Sequence, residues 1–473
     1  VSHSWTKVTL VSTTEKPAPI SNTGEVLSRI VTFQFALNPN FKQKVEFDKC
    51  AGARRFTMNH HLARVKANLD SRSSERRTAD DLKIPDETIT QTLSWSAFSF
   101  IKEFNAWKNG ESDDSLLNED GSRGLSWRHE LPYDVFESAS VDAARALENF
   151  ASSRNGKRDG PTVGFPHFQS KGKVTPTFRL RNRLSPAHSS SSQSIRFCDP
   201  SHLRLPKLGP VKICGPTRKV RRMMEAGRFH VYSATLKQRA GRWTVSLNGV
   251  ASEFHQAVRS RSTRHLVPVG VDRGIASLCV AADANGASLE TFEGVKILRE
   301  SQRKLKAACR ALARTTPGSH GRQQARIRLA KIHRKIANKR SHLVHQVSNS
   351  LVTQYQILVI EDLNVSGMMK NRRLSLAVSD AAMGELSRQI TYKAKWHGVE
   401  VRVVDRYFPS SKTCSGCGVV KSELNLSIRS YCCLTCGLTI DRDLNAAINL
   451  ARWKEVADVP TVKNFACFSS FET

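Results

Sequence analysis

Two sets of residues have the types and spacing to do chemistry. The first is Cys414-Ser-Gly-Cys417 followed by Cys433-Leu-Thr-Cys436, two C-x2-C pairs separated by fifteen residues. A C-x2-C turn sets two thiolates on one side of a metal, and a second such turn completes a tetrahedral zinc site. Gly418 and Gly437 directly follow the two turns, where a positive φ is favoured. Cys432 is a spare beside Cys433, but only Cys433 gives the two-residue gap to Cys436. Four thiolates leave no open position for substrate, so this Zn²⁺ is structural and not the catalyst.

The second set is acidic. Asp272 ends the apolar run Val269-Gly-Val, and Glu361 ends Leu358-Val-Ile. Asp441-Arg442-Asp443 stands where a helix begins after the second cysteine pair. Singly these read as a turn residue, a strand-end charge and a helix N-cap. Together, on a strongly basic chain, three separated carboxylates suggest a site for two Mg²⁺ ions. Hard cations take oxygen ligands, and such a pair suits hydrolysis of a phosphodiester.

The elements that must position these groups are legible in outline. Residues 267–272 and 275–282 read as a hairpin around Arg273-Gly274, 357–360 as a buried strand, 383–397 as a helix and 399–404 as another strand. Between them, 301–340 carries 13 Lys/Arg and no Asp/Glu, with Ile327, Ile332 and Ile336 near helical spacing. Upstream, 29–37 alternates as a strand, ending in a turn by residue 40. Residues 41–155 read as a small helical subdomain, with helices over 42–69, around Trp95 to Trp107, and over 137–152. An acidic loop crosses 109–124. Trp95, Trp107 and Trp127 are expected in packing rather than as base-stacking platforms. Residues 156–265, punctuated by Pro166, Pro176, Pro186, Pro206, Pro210 and Pro216, read as a β-rich module with strands over 229–236 and 243–247 and a Ser-rich loop at 189–194.

Composition narrows the partner. The 473 residues include 73 Lys+Arg against 42 Asp+Glu, a formal charge of +31 and a pI near 10.1. A disordered polycation is excluded, because 39% of residues are hydrophobic and 21 Phe and 7 Trp can build cores. So much positive charge on a folded chain calls for a polyanion, in the first place nucleic acid. No run approaches the roughly 18 apolar residues of a membrane span. Residues 1–28 are polar, lack a secretory signal pattern and read as poorly ordered. Of eleven cysteines, six are scattered (Cys50, Cys198, Cys214, Cys279, Cys309, Cys467) and five cluster between 414 and 436, which reads as metal binding in a reducing cytosol rather than as a disulfide framework.

Taken in order, Gly270-Val-Asp272-Arg-Gly, Val359-Ile-Glu361-Asp-Leu-Asn364, Phe408-Pro-Ser-Ser-Lys-Thr-Cys414-Ser-Gly-Cys417-Gly, Cys433 to Cys436-Gly and Asp441-Arg-Asp-Leu-Asn-Ala-Ala resemble the TnpB family. These are transposon-associated RNA-guided nucleases related to compact type V CRISPR effectors. The resemblance spans about 29–452 and is densest over 266–452. Weaker marks are Gly164-Phe-Pro-His-Phe-Gln-Ser-Lys171 and Gly241-Arg-Trp-Thr-Val-Ser-Leu247.

The resemblance implies a multidomain α+β chain. An RNase H-like (RuvC) α/β nuclease domain over 266–410 and 439–452 would be interrupted by a zinc ribbon at 411–438. A β-barrel-like wedge module (29–40 and 156–265) would grip guide RNA, and a helical recognition subdomain (41–155) would hold the guide–target duplex; 453–473 is a tail of unassigned role. Asp272, Glu361 and Asp443 would be the Mg²⁺ ligands, with Asp441 as support or alternative ligand. Arg442 would orient the site or touch phosphate, against the plain alternative of a surface arginine. The implied partners are a guide RNA, double-stranded target DNA beside a short flanking motif, and the displaced single strand. The chain would act as a monomer or as a homodimer on one RNA, in prokaryotic cytoplasm. Candidate phosphate contacts are Arg179, Arg181, Arg183, Lys207, Lys212, Arg218, Lys219, Arg221 and Arg222 in the β-rich module, and Arg303, Lys304, Arg326, Arg334, Lys335 and Arg340 in the acid-free stretch. Two rival readings are a guided DNA binder without cleavage and a strand-transfer transposase, which does not predict the ribbon's placement.

Overall fold

The alternation at 31–37 becomes a strand whose Val31, Phe33, Phe35 and Leu37 are all buried. In the computed structural model, which describes residues 7–8, 28–82, 89–182, 194–252, 265–294, 296–425 and 428–453, the chain forms two compact units, Val1–Glu253 and Phe254–Thr473. The expectations for residues 1–6 and 9–27, for the serine loop at 189–193, for Arg183 and for the tail from 454 onward lie outside the described residues.

The first unit contains β1 (Lys7–Val8), β2 (Ser28–Leu37), α1 (Phe41–Leu82), α2 (Ala97–Asn109), α3 (Tyr133–Arg154), β3 (Thr177–Arg181), β4 (Arg196–Asp199), β5 (His202–Leu205), β6 (Gly209–Cys214), α4 (Arg218–Glu225), β7 (Phe229–Arg239) and β8 (Arg242–Ser252). Its strands form one sheet in the order β3-β7-β8-β2-β6-β5-β4, with β1 added against β2. The expected barrel-like closure is not there: β3 and β4 end an open path. Each pairs with one strand among the described residues; the edges are linked only beside the strands, where Asn182 after β3 accepts from the Ser194 hydroxyl and the Ile195 amide before β4, both at 3.0 Å.

Helix α1 runs 42 residues, about 63 Å at 1.5 Å per residue, well past the last apolar position expected to end it at 69. The polar extension is held by side chains rather than by a core. Glu75 accepts from the Thr90 amide and hydroxyl, both at 2.7 Å, and Asn68 bonds Gln91 and Leu93. Met58, Leu62, Val65, Phe100, Ala143, Ala144 and Leu147 fuse α1, α2 and α3 into one core. Trp107 is buried there, its indole donating to the Asp114 carbonyl, while Trp127 packs against Phe56 and Phe136 and Trp95 against Phe150. The tryptophans are packing residues, as expected.

The second unit contains β9 (His265–Asp272), β10 (Ser277–Asp283), β11 (Ser288–Glu293), α5 (Ile297–Ala313), α6 (His320–Gln354), β12 (Tyr355–Glu361), α7 (Val365–Lys370), α8 (Ser375–Ala381), α9 (Met383–His397), β13 (Glu400–Val404), β14 (Ser430–Cys432), β15 (Thr439–Asp441) and α10 (Arg442–Ala451). The main sheet has the order β11-β10-β9-β12-β13. β9, β10 and β11 are antiparallel neighbours, whereas β12 runs parallel to both β9 and β13.

The period-two rule of strands decides which side chains face which layer. Val269, Val271, Leu358 and Ile360 pack on one face with α6 and α9 through Val344, Val347, Leu351, Leu386 and Ile390. Val280, Ala282 and Val359 pack on the other face against Ala447, Ile448 and Leu450 of α10. Gly270 lets that helix come close: a Cβ there would lie 1.9 Å from the Ala447 carbonyl oxygen. Asp272 and Glu361 have the parity of Gly270 and Val359, so their side chains belong to the face that α10 covers.

Candidate functional site

Two adjacent parallel strands and one helix start carry the three carboxylates to one end of the second sheet. Ile360 pairs with Val271, so Glu361 and Asp272 stand side by side at the strand ends, where β9 and β12 both finish. Asp443 lies in the first turn of α10, with its side chain 15% exposed. The Asp272 carboxyl, half-buried at the surface of this layer, is pushed up to about 8 by burial first and then by the Glu361 and Asp443 charges. Arg273 and Arg442 pull it the other way and do not prevail. Asp443 is raised as well, by burial and by neighbouring Asp441, against Arg429 and Arg442.

The pair Asp441 and Asp443 divides cleanly. Oδ1 of Asp441 accepts from the amides of Asp443 and Leu444 at 2.9 and 3.0 Å, the N-cap arrangement, and so it is committed to starting α10. Asp443, within the first turn, is the one whose charge acts on Asp272. Arg442 reaches the other way: its guanidinium donates to the Asn425 and Ile428 carbonyls and its amide to Arg429, holding the loop before β14. Arg429, which sequence reasoning passed over, sits at the exposed edge, 3.9 Å from Asp443 and 55% exposed. Arg273 is buried, and its guanidinium donates to the Glu361 main-chain carbonyl.

The cysteine site is a second, separate centre. The four sulfurs of Cys414, Cys417, Cys433 and Cys436 lie within 4.8 Å of one another, and the pairs 414–436 and 417–433 are each 3.6 Å apart. A tetrahedral Zn²⁺ with bonds near 2.3 Å needs an edge of roughly 3.8 Å, so the sulfurs fit that ion. Cys433 is held down to about 6 by the amides of Cys436 and Thr435, against burial. Cys432 stands outside the group, in β14. Gly418 and Gly437 have φ of 78° and 73°, as the turns require. Among the described residues this is the one group of three or more such ligands packed so tightly; the carboxylates are more widely set. Their donor set is nonetheless oxygen-only, and an acid pushed up to about 8 by burial and then by two like neighbours is a place where a divalent cation would relieve repulsion.

The ribbon is tied to the carboxylates by residues that sequence reasoning quoted only as motif letters. Asn445, fully buried on α10, donates to the Thr413 carbonyl at 2.7 Å and accepts from the Ser415 amide at 2.9 Å. Asn449, one turn on, donates to the carbonyls of Ser410 and Thr413, both at 2.7 Å. Arg452 donates to Ser415 and Ala284 carbonyls. Ser410 in turn donates its hydroxyl to Glu361.

The candidate phosphate-binding cations separate into two groups. Arg179 is spent on Asp142 at 3.1 Å, together with Arg54; Lys207 caps the carbonyls of His129 and Leu131; Arg340 pairs with Asp380 at 3.3 Å. Arg221 pairs with Glu225 at 3.4 Å. Arg179, Lys207 and Arg340 hold the fold, because their partners lie on elements that only the tertiary structure brings near, whereas Arg221 pairs within its own helix. Lys212, Arg218, Lys219, Arg222, Arg303, Lys304, Arg326 and Lys335 are exposed, and Arg181 and Arg334 are half-buried. Helices α5 and α6 pack together as a hairpin, so the acid-free stretch presents its charge on ordered helices.

Residues 254–372, including Asp272 and Glu361, match the family model described as "Probable transposase", and residues 384–450, including the four cysteines and Asp443, match that of the "Cas12f1-like, TNB domain". The "Putative RNA-guided DNA endonuclease MT2953" of Mycobacterium tuberculosis is 30% identical over 442 residues, covering 91% of this chain and 88% of that one. The "Putative RNA-guided DNA endonuclease InsQ" of Escherichia coli is 27% identical over 440 residues, covering 90% and 92%. A solved Cas12f1–sgRNA–target DNA complex aligns at a TM-score of 0.44 and 12% identity, covering 90% of this chain and 99% of that one. At 30% identity across most of both chains, the protein belongs to the TnpB family of RNA-guided DNA endonucleases.

Proposed function

We propose that the protein binds a guide RNA, recognises DNA complementary to it beside a short flanking motif, and hydrolyses the DNA backbone at the Asp272–Glu361–Asp443 site. The observation that carries this reading is the meeting of three carboxylates, one driven up to about 8, at one end of a sheet in a chain of charge +31. The strand order, with an antiparallel three-strand half and two parallel strands, supports an RNase H-like (RuvC) domain into which the ribbon is inserted.

In this reading Asp272, Glu361 and Asp443 hold two Mg²⁺ ions. Bound there, the ions supply Lewis-acid activation of water and stabilise charge on the departing oxygen. The residues of the chain do the remainder. Arg273 anchors the Glu361 strand end, Asp441 fixes the helix that presents Asp443, and Arg429 offers positive charge where a phosphate would approach. The exposed cations of α5 and α6 and of α4 engage phosphates without reading sequence, which guide–target pairing supplies.

The test is to purify the full chain with the RNA it carries, sequence that RNA, and offer a plasmid bearing the complementary target. We expect cleavage with Mg²⁺ and none with EDTA. Binding without cleavage under saturating Mg²⁺ would favour a guided binder.

A further inference from the structure

Ser410 stands between the sheet and the ribbon and is 4% exposed. Its hydroxyl donates to Oε1 of Glu361, forty-nine residues away in the chain. Its own carbonyl accepts from Asn449 of α10 at 2.7 Å, and Asn449 is itself buried and also holds the Thr413 carbonyl beside Cys414. On the other side, the Glu361 carbonyl accepts from Arg273, the residue after Asp272. Glu361 is therefore gripped at main chain and side chain by the two segments that carry its fellow carboxylate and the first cysteine pair. With Oε1 engaged, Oε2 is the oxygen that lacks a protein donor among the described residues.

We propose that Ser410, itself fixed by Asn449, is a positioning residue that orients the Glu361 carboxylate so that Oε2 faces the metal site. A free glutamate at a strand end rotates about three side-chain bonds. A buried hydroxyl donor held by an asparagine removes that freedom before a cation arrives, and such orienting partners typically govern metal affinity by about 10- to 100-fold. The same contact makes the stem of the ribbon part of the nuclease site, since Ser410 reaches Glu361 from the segment that leads into Cys414. The inference rests on the carboxylate reading proposed above.

The experiment uses the full chain with its RNA and compares wild type, Ser410→Ala, Ser410→Thr and Asp272→Asn. We expect Ser410→Ala to keep its zinc content and its guided DNA binding, to raise the Mg²⁺ concentration for half-maximal cleavage about tenfold or more, and to shrink the rise in Tm that Mg²⁺ produces. Ser410→Thr, which keeps the hydroxyl, should restore both readouts toward wild type. A wild-type Mg²⁺ midpoint and thermal shift in Ser410→Ala, with Asp272→Asn losing its shift, overturns the role of Ser410 alone. Loss of zinc or of folding in Ser410→Ala also overturns it, by showing a purely structural contact. If Asp272→Asn keeps the full Mg²⁺ shift, the carboxylate reading itself fails.

Discussion

Asp272 sits where burial and two neighbouring acids make its charge unfavourable, and this gives a prediction free of nucleic acid. Burial first, and then the Glu361 and Asp443 charges, push its carboxyl up to about 8 from an ordinary 3.8. The folded state therefore keeps a proton that the unfolded chain has already released. Its contribution to stability is full below about pH 4 and declines as pH rises toward 8. Asp272→Asn removes the penalty, so we expect the variant to be more stable than wild type by on the order of 1–3 kcal/mol at pH 8 without metal, and by much less at pH 5. Mg²⁺ should stabilise wild type and leave Asp272→Asn nearly unmoved. Thermal melts at the two pH values, with and without the ion, read both effects. At this same scale the sequence was informative about residue type and silent about partners. The cysteine spacing picked out the four sulfurs that the fold gathers, because a knuckle is local. Ser410, Asn445 and Asn449 could not be singled out, because their partners lie 30 to 49 positions away. The same distance hid Asp142 from Arg179 and Asp380 from Arg340.

At the scale of elements, α10 is the piece that brings the third carboxylate to the other two, and its seat depends on Gly270. Adding a Cβ there meets the Ala447 oxygen at 1.9 Å and the Ala451 nitrogen at 2.5 Å, both backbone atoms. We expect Gly270→Ala to cost about 1–3 kcal/mol or more and to reduce cleavage more than binding, since Asp443 moves with the helix. Denaturant unfolding paired with a cleavage assay separates the two. The ribbon has the complementary role. Cys433→Ser, or chelation of zinc, should release the knuckle, weaken the Asn445 and Asn449 anchors, and lower both Tm and cleavage, with metal content as the check. Much of this layer was readable in advance: alternation gave β2, the hairpin reading around Arg273-Gly274 gave β9, the short apolar run at 357–360 gave β12, and the helical reading of 383–397 matches α9 at Met383–His397. The length of α1 was not, because its last turns are fastened by Glu75 and Arg72 to Thr90 instead of by an apolar stripe. Nor was the open edge of the first sheet, since closure depends on whether β3 and β4 meet and not on either strand's pattern.

For the molecule as a whole, the charge of +31 is not spread evenly in function. Part of it is internal cement, as with Arg179, Lys207 and Arg340, and part is exposed on the α5–α6 hairpin. These halves should respond differently to mutation. Replacing Arg303, Lys304, Lys331 and Lys335 together by Ala should weaken RNA binding, and should lower the slope of log affinity against log salt by about 3 if each neutralises one phosphate. Arg179→Ala should instead lower Tm with little change in that slope. Filter binding across a salt series alongside thermal melts distinguishes them. The central claim, that guided recognition and phosphodiester hydrolysis are joined in this chain through three carboxylates, is met most directly by one measurement. Wild type and Asp272→Ala, each purified with its RNA, are given matched target DNA in Mg²⁺, and binding and cleavage are followed in the same samples. The account predicts equal binding and a loss of cleavage of at least about a thousandfold in the variant; cleavage by Asp272→Ala at the wild-type rate would contradict it.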